Sequence, residues 1–398
     1  MEIKVFPGRL TGTVDAPPSA SVAHRAILCA MLAEGDSTLS NLELSDEIQA
    51  TINGAKALYN DGLTVDCRES TGTLRFLMVL LAAVGRKTTF LGGPSLAEKP
   101  LQPLIDLLTE HGVTCTTEGA AHGWFPLTIE GKLQGKRFLV RGDVGSRFIS
   151  GLMMALPLLG AGAEIVLTSP LQTRDYSNLT MEVMRRFGVT LTATENGWKM
   201  EKEADYQPAQ LEIEGGYAGA VYYLCANRLP RTNVTVTGLS AASRQPDRAI
   251  SNIIPALGNG LEVDVKEIPD SVPALAMTAA HAEGRTSFFN AGRYEYEAKR
   301  MQLLCQNILS MGGQADIEDD RLIVYGKQNL SGGCVIPTGG DYRIAMATMI
   351  GALACLKPVV IQDAEAINHF YPNFFKDFAR LGGVCEIISP SKAGKKKG

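Results

Sequence analysis

The chain has 398 residues, with 38 Lys and Arg against 42 Asp and Glu and a net charge of −4. That near-neutral balance excludes a strongly basic nucleic-acid binder, and no apolar run reaches the ~18 residues a membrane span needs. Glycine is the compositional outlier at 41 residues, about a tenth of the chain against a usual ~7%, and its even spread excludes collagen-like and low-complexity readings.

In chain order, Met1-Glu2-Ile3-Lys4-Val5 reads as a strand and lacks a signal-peptide core. From there one pattern recurs. A small-residue apolar helix leads into a strand, and an amphipathic helix stopped by glycine leads into a second strand. The apolar helices are AILCAMLAEG from Ala26, LMVLLAAVG from Leu77, LMMALPLLGAG from Leu152, VYYLCANRL from Val221, LAMTAAHAEG from Leu275 and MATMIGALACL from Met346. Their strands are STLSNL, TTFLGG, EIVLTS, VTVTGL, TSFFNA and VVIQDA. The amphipathic helices stop at Gly62, Gly112, Gly188, Gly258 to Gly260, Gly312 and Gly382, where glycine adopts the left-handed helix end at low cost. The strands after them are LTVDC, VTCTTE, VTLTAT, LEVDV, QADIE and VCEII. The helices that are apolar all round should be buried and the amphipathic ones should lie outside.

Six such repeats predict an α/β fold of two domains with three repeats each, since a single core of that size tends to split. The expected division is residues 20–213 as one domain, and 1–19 with 214–398 as a discontinuous second. Residues 389–398 carry Lys395-Lys396-Lys397 and no apolar anchor, and are expected to be a disordered tail. Eight cysteines form no C-x-x-C pair and five histidines show no ligand spacing, so the thiols read as buried and free and no metal site is expected.

Several polar segments suit anions. Pro17-Pro18-Ser19-Ala20-Ser21 opens the first apolar helix, with His24 and Arg25 about a turn in. Ser70-Thr71-Gly72-Thr73 opens the second, and Glu98-Lys99-Pro100 precedes an outer helix. Gly145-Ser146-Arg147 opens the third, and Thr173-Arg174-Asp175-Tyr176 follows its strand. None of these is specific by itself, and ordinary helix capping with surface charge explains the first from its spacing alone. The second half supplies acids: Asp270 at a helix start, and the mixed run Arg293 to Arg300, which also fits a solvated charged face. Gly339-Gly340-Asp341-Tyr342-Arg343 precedes the last apolar helix, and His369 stands in a late loop.

Taken together, PPSASVAHRAI, Ser45-Asp46-Glu47, ESTGTLRF, LAEKPLQPLIDLL, SRFISGLMMALPLL, IPDSVPALA, GDYRIAMA and INHFYPNFF, in this order and spacing, resemble the enolpyruvyl transferase family of the EPSP synthase type. The resemblance spans nearly the whole chain. It implies a two-domain inverted α/β barrel and a cleft between the domains that closes on phosphoenolpyruvate (PEP) and shikimate 3-phosphate. It also implies a cytoplasmic monomer with no metal or organic cofactor and no membrane or nucleic-acid partner. In the family reaction the acceptor hydroxyl adds to C2 of PEP and phosphate is then expelled, which needs a general acid, a base and cations.

Carried over position by position, the resemblance assigns Asp270 as the hydroxyl-side base, Glu297 as the acid/base glutamate and His369 as a proton donor. It keeps Ser21, Arg25 and Tyr176 for the acceptor and Arg300 and Arg343 for the PEP carboxylate, and counts Ser146, Arg147, Thr173, Gly72 and Lys99 among the substrate-binding residues. The chain departs from the family where Ala20 and His369 stand for lysines, Lys99 for an arginine, Thr71 for a glycine, and Gly145-Ser146-Arg147 for Ser-Ser-Gln. Tyr296 also replaces a lysine. These departures leave three readings: a transferase with a remodelled PEP site, a paralogue that uses another acceptor, and a ligand-binding homologue without turnover. If the first holds, Arg147 supplies a replacement cation.

Overall fold

The computed structural model describes residues 1–117, 123–171 and 174–389. The terminal segment from 390, expected to be a tail, and Thr173 lie outside the described residues. The chain divides into two compact units, Pro18–Glu214 and a split unit of Met1–Pro17 with the chain from Gly215 onward. Each has its own hydrophobic core.

The central unit, Pro18–Glu214, is built on three buried helices, Ala20–Leu32, Thr71–Val84 and Ser146–Leu159. Thr71–Val84 buries all but two of its 14 residues, as expected of a helix that is apolar all round. Small residues let these helices approach closely: a Cβ on Gly151 would stand 3.0 Å from the carbonyl oxygen of Arg75. One sheet runs Thr64–Asp66, Thr88–Leu91, Leu127–Glu130, Thr114–Thr116, and another Arg137–Val140, Glu164–Leu167, Gly197–Lys199, Thr192–Thr194. Both have the same pattern, a parallel pair followed by two antiparallel joins. Thr38–Ser40 pairs in parallel with Gln210–Glu212 to form the third, reduced sheet.

The split unit repeats the plan. Its buried helices are Tyr217–Ala226, Val272–Ala279 and Tyr342–Ala352. Its four-stranded sheets run Leu261–Asp264, Gly284–Phe289, Arg321–Gly326, Gln314–Glu318 and Val335–Ile336, Val359–Ile361, Glu2–Val5, Cys385–Ser389. The N-terminal strand thus fills an interior position in a sheet made otherwise from the end of the chain. Asn233–Thr237 pairs in parallel with Thr11–Asp15. The sheets of each unit are separate and open-edged.

The glycines that stop the amphipathic helices adopt positive φ, as at Gly112 (85°) and Gly312 (87°), where a side chain would strain the backbone. All eight cysteines are free, and burial pushes the Cys29 and Cys225 thiols up to about 12. Cys355 falls just past its helix, which ends at Ala352. No helix among the described residues is long and apolar enough to cross a membrane.

One buried titratable group carries a stability consequence. His281 lies just past Val272–Ala279, beside Gly351 of the neighbouring buried helix, and neither of its ring nitrogens has a hydrogen-bond partner among the described residues. Burial pushes its pKa from 6.5 down to about 4, against a weaker upward pull from the Gly351 backbone. The folded protein therefore binds this proton less readily than the unfolded chain. Stability is fully present above pH 6.5 and is lost as pH falls towards 4, by about 3 kcal/mol for a shift of this size. His281→Leu is expected to remove that part of the acid sensitivity, measured by urea unfolding at pH 7 and pH 4.

Candidate active site

In the split unit the helix Tyr342–Ala352 begins at Asp341, whose carboxylate caps it by accepting from the Arg343 backbone N–H at 2.9 Å. The same carboxylate accepts from Arg300 Nε at 2.6 Å and lies 3.2 Å from Arg343 Nη1. Burial works to raise the Asp341 carboxyl, but the guanidiniums of Arg300 and Arg343 outweigh it and hold it at about 2. Asp341 is thus a fixed anion between two arginines.

Asp270 stands on the short turn Pro269–Ser271. Its Oδ1 is 2.8 Å from Arg343 Nε and 3.6 Å from Arg300 Nη1. Burial works to lower the Arg343 pKa, but the charges of Asp270, Tyr342 and Asp341 and a side-chain hydrogen bond to Asp270 outweigh it and hold the guanidinium charged. Arg343 also lies over the Tyr342 ring at 4.1 Å, and Tyr342 stacks on Phe370 at 4.7 Å. His369 ends the turn Ala364–His369, immediately before Phe370.

Glu297, in the first turn of Glu295–Ser310, is 3% exposed. Burial raises its pKa, against opposing pulls from Arg293 and Arg300. Its Oε2 has no hydrogen-bond partner among the described residues, Arg293 Nε is 3.9 Å away, and Tyr296 Oη is 3.5 Å from Oε1. The run Arg293 to Arg300 is therefore only partly a solvated face. Glu295 and Lys299 pair on the outside at 3.1 Å, while Arg293, Glu297 and Arg300 turn inward.

The central unit holds a second cluster. Arg25 is 2% exposed and donates to Thr180 Oγ1 at 2.7 Å, Ser150 Oγ at 2.9 Å and the Ser21 carbonyl at 2.7 Å. Its guanidinium lies 5.1 Å from the Phe76 ring and 5.9 Å from that of Tyr176. Burial, and next the charge of Arg147, lower its pKa to about 10. Arg147 and Ser146 occupy the first turn of Ser146–Leu159, which the chain enters through Gly145 at φ 98°. Ser21, Arg25, Arg147 and Tyr176 are thus brought together around a cation whose own hydrogen bonds go to neutral groups.

Gly72 and Lys99 belong to a neighbouring segment. Ser70 caps Thr71–Val84, and Lys99 Nζ is 3.2 Å from Thr71 Oγ1. A Cβ on Gly72 would stand 3.4 Å from the His24 ring. His24 is buried in its helix and not in a loop. Its Nδ1 meets Thr51 Oγ1 at 2.7 Å, Thr51 meets Thr73 at 2.6 Å, and Thr73 meets Ser70 at 2.8 Å. Ala20, the first residue of its helix, brings no charge to this region.

Sequence reasoning missed the supports. Asp341 as a shared anchor, Thr180 and Ser150 beneath Arg25, and Tyr222, a buried phenol within the field of Arg343, Asp341 and Asp270, were not singled out as site residues. Only Asp341 left a local signal, an acidic N-cap ahead of an apolar helix. Among the described residues no group of His, Cys, Asp and Glu could hold a metal ion.

The family model for EPSP synthase (3-phosphoshikimate 1-carboxyvinyltransferase) matches residues 6–63 and 59–378. The 3-phosphoshikimate 1-carboxyvinyltransferase of Clostridium kluyveri is 34% identical, covering 98% of this chain and 99% of its own. That of Clostridium novyi is 32% identical at the same coverage. Among solved structures, EPSP synthase from Acinetobacter baumannii superposes with a TM-score of 0.79 at 20% identity, over 97% of this chain and 99% of that one. The enolpyruvyl transferase NikO from Streptomyces tendae gives 0.72 at 14% identity, over 97% and 98%.

Proposed function

The chain belongs to the EPSP synthase family, and we propose that it transfers the enolpyruvyl group of PEP to the 5-hydroxyl of shikimate 3-phosphate with release of phosphate. The observation that carries this reading is Glu297, a buried carboxyl with a raised pKa in the same cluster as Arg300, Arg343 and Asp270. A buried carboxyl whose proton affinity is raised, clustered with two arginines, suits protonation of a PEP methylene whose carboxylate those arginines bind.

In this mechanism Glu297 gives a proton to C3 of PEP, and the acceptor oxygen bonds to C2 while Asp270 takes its proton. Phosphate then leaves C2, and Glu297 recovers a proton from the new methyl group to restore the double bond. Arg300 and Arg343 hold the PEP carboxylate. Arg25, Ser21, Ser146, Tyr176 and Thr173 hold the acceptor, and Gly72, Lys99 and Arg147 bear on the phosphate of PEP. His369 is the candidate donor to the departing phosphate.

Arg147 supports a second reading. A cation beside Arg25, where the resemblance implies an uncharged residue, also fits an enolpyruvyl transferase whose acceptor differs in charge from shikimate 3-phosphate. Mass spectrometry of the protein incubated with PEP and shikimate 3-phosphate separates the two. The expected product is heavier than the acceptor by one enolpyruvyl group. Unchanged acceptor, with enolpyruvyl transfer to a different phosphorylated or carboxylated alcohol, would replace the first reading by the second.

A further inference from the structure

We propose that His24 is a positioning residue for PEP, acting through the hydroxyls of Thr51 and Thr73 on Ser70, the cap of the helix whose start carries Gly72. This rests on the enolpyruvyl reading above, in which Gly72 and Lys99 bear on the phosphate of PEP, and adds the group that holds their seat from beneath.

The chain of contacts is buried along its whole length. His24 is 5% exposed, and Thr51, Thr73 and Ser70 are fully buried. His24 Nδ1 meets Thr51 Oγ1 at 2.7 Å, Thr51 meets Thr73 Oγ1 at 2.6 Å, and Thr73 donates to Ser70 Oγ at 2.8 Å. Ser70 Oγ also accepts from the Thr73 backbone N–H at 3.1 Å, which makes it the helix cap. The backbone carbonyl of Glu47 accepts from Thr51 at 3.2 Å, and the Glu47 carboxylate lies 3.7 Å from His24 Nε2. The network thus ties three helices together, Ala20–Leu32, Asp46–Ala55 and Thr71–Val84. A buried polar network whose members are satisfied rigidifies what it joins.

The far end of the network is the seat. The His24 ring also stands against Gly72 itself, where a Cβ would be 3.4 Å from Nε2. The imidazole therefore fixes the helix start by contact and, through the three hydroxyls, by hydrogen bonds. On the outer side Glu69 Oε2 accepts from the Leu96 N–H at 2.8 Å, which fastens the segment that leads to Lys99. His24 is followed in the chain by Arg25, which is bound to Thr180 and Ser150 in the acceptor cluster. Two consecutive residues of one buried helix thus hold the two seats of the central unit, His24 that of the PEP phosphate and Arg25 that of the acceptor. A small displacement of the Thr71–Gly72 backbone changes the bonds it offers to a phosphate and leaves the hold of Arg25 as it was.

The test is steady-state phosphate release by the full chain, by His24→Leu, by His24→Asn and by Thr51→Val, with the KM for PEP and that for shikimate 3-phosphate measured separately. Leu fills the space of the imidazole without a polar atom, whereas the Asn amide puts one close to the place of Nδ1. His24→Leu and Thr51→Val are each expected to raise the KM for PEP by about 3- to 10-fold, the worth of one buried hydrogen bond, and to leave the KM for shikimate 3-phosphate within about twofold. His24→Asn is expected to stay within about twofold of the wild type on both. Thr51→Val breaks the chain one step further on with His24 in place, and it decides the matter if His24→Leu does not fold. A rise in both KM values together, or the same rise with Asn as with Leu, is what a general loosening of the fold would give, and either overturns the positioning role. An unchanged KM for PEP in His24→Leu and Thr51→Val overturns it as well. In all these cases turnover by the wild type leaves the enolpyruvyl reading standing. A wild type that does not turn over overturns that reading and this inference with it.

Discussion

Glu297→Gln is expected to lower PEP-dependent phosphate release by about 10²- to 10⁴-fold, the usual contribution of a positioned general acid. Gln keeps the shape of the buried side chain and removes the transferable proton. The packing of the first turn of Glu295–Ser310 should survive, because the group is sealed among neighbours and its Oε2 accepts no hydrogen bond there among the described residues. The stability of the variant sets this loss apart from misfolding. Burial raises the Glu297 pKa above 4.5. The folded protein therefore holds this proton more tightly than the unfolded chain. The stability linked to it is present below pH 4.5 and is lost as pH rises through the folded value. Above that window Gln, which cannot ionise, should be as stable as Glu or more so. Thermal melts at pH 8 are expected to show an unchanged or higher Tm in a protein that has lost turnover. A matched fall in Tm and activity would mean that Glu297 serves the fold and not the proton transfer.

Arg147→Gln is expected to reduce turnover by about 10- to 150-fold, the equivalent of one charge-assisted hydrogen bond of about 1.5–3 kcal/mol. In the resemblance an uncharged residue occupies this position and a lysine occupies that of Ala20. The cation has therefore moved, on the proposed reading, from the start of Ala20–Leu32 to the start of Ser146–Leu159. Adding Ala20→Lys to the Arg147→Gln protein is accordingly expected to recover most of the lost activity. In the substrate-free protein the burial of Arg25, and next the charge of Arg147, lower the Arg25 pKa to about 10, so Arg147 adds to the cost of keeping its neighbour charged. Arg147→Gln should thus relieve that repulsion on Arg25 while weakening the protein's hold on anions. If both single variants and the double variant turn over alike, the cation at 147 plays no part in PEP binding.

How far the sequence disclosed this molecule depended on how local each cause is. The buried helices were legible because Ala, Gly, Met and Leu leave no polar face, as in Val272–Ala279, where every residue is buried. The ends of the outer helices were legible because Gly112 and Gly312 need a conformation other residues resist. The strands Leu127–Glu130, Gly197–Lys199 and Arg321–Gly326, which extend the sheets on their antiparallel side, left no comparable mark. They follow loops or turns, are as short as three residues, and take their identity from the partner they pair with. The same holds for the site. Resemblance pointed to Arg25, Asp270, Glu297, Arg300 and Arg343 because their neighbours in sequence match. What holds those residues is distant in sequence: Thr180 lies 155 residues from the Arg25 it supports, and Asp341 lies 41 from Arg300. Arg293 and Glu297 look alike in sequence to Glu295 and Lys299, and only the helix face separates an inward pair from a solvated one.

The most direct measurement is steady-state phosphate release by the full-length protein with PEP and shikimate 3-phosphate together, with each alone, and with the Glu297→Gln protein as control. The expected result is release that requires both compounds, at a rate within about 10²-fold of the 1–10³ s⁻¹ typical of enzymes, and that falls to background in the variant. Release that needs only one compound, or that is the same with and without Glu297, would contradict an enolpyruvyl transfer carried by this site.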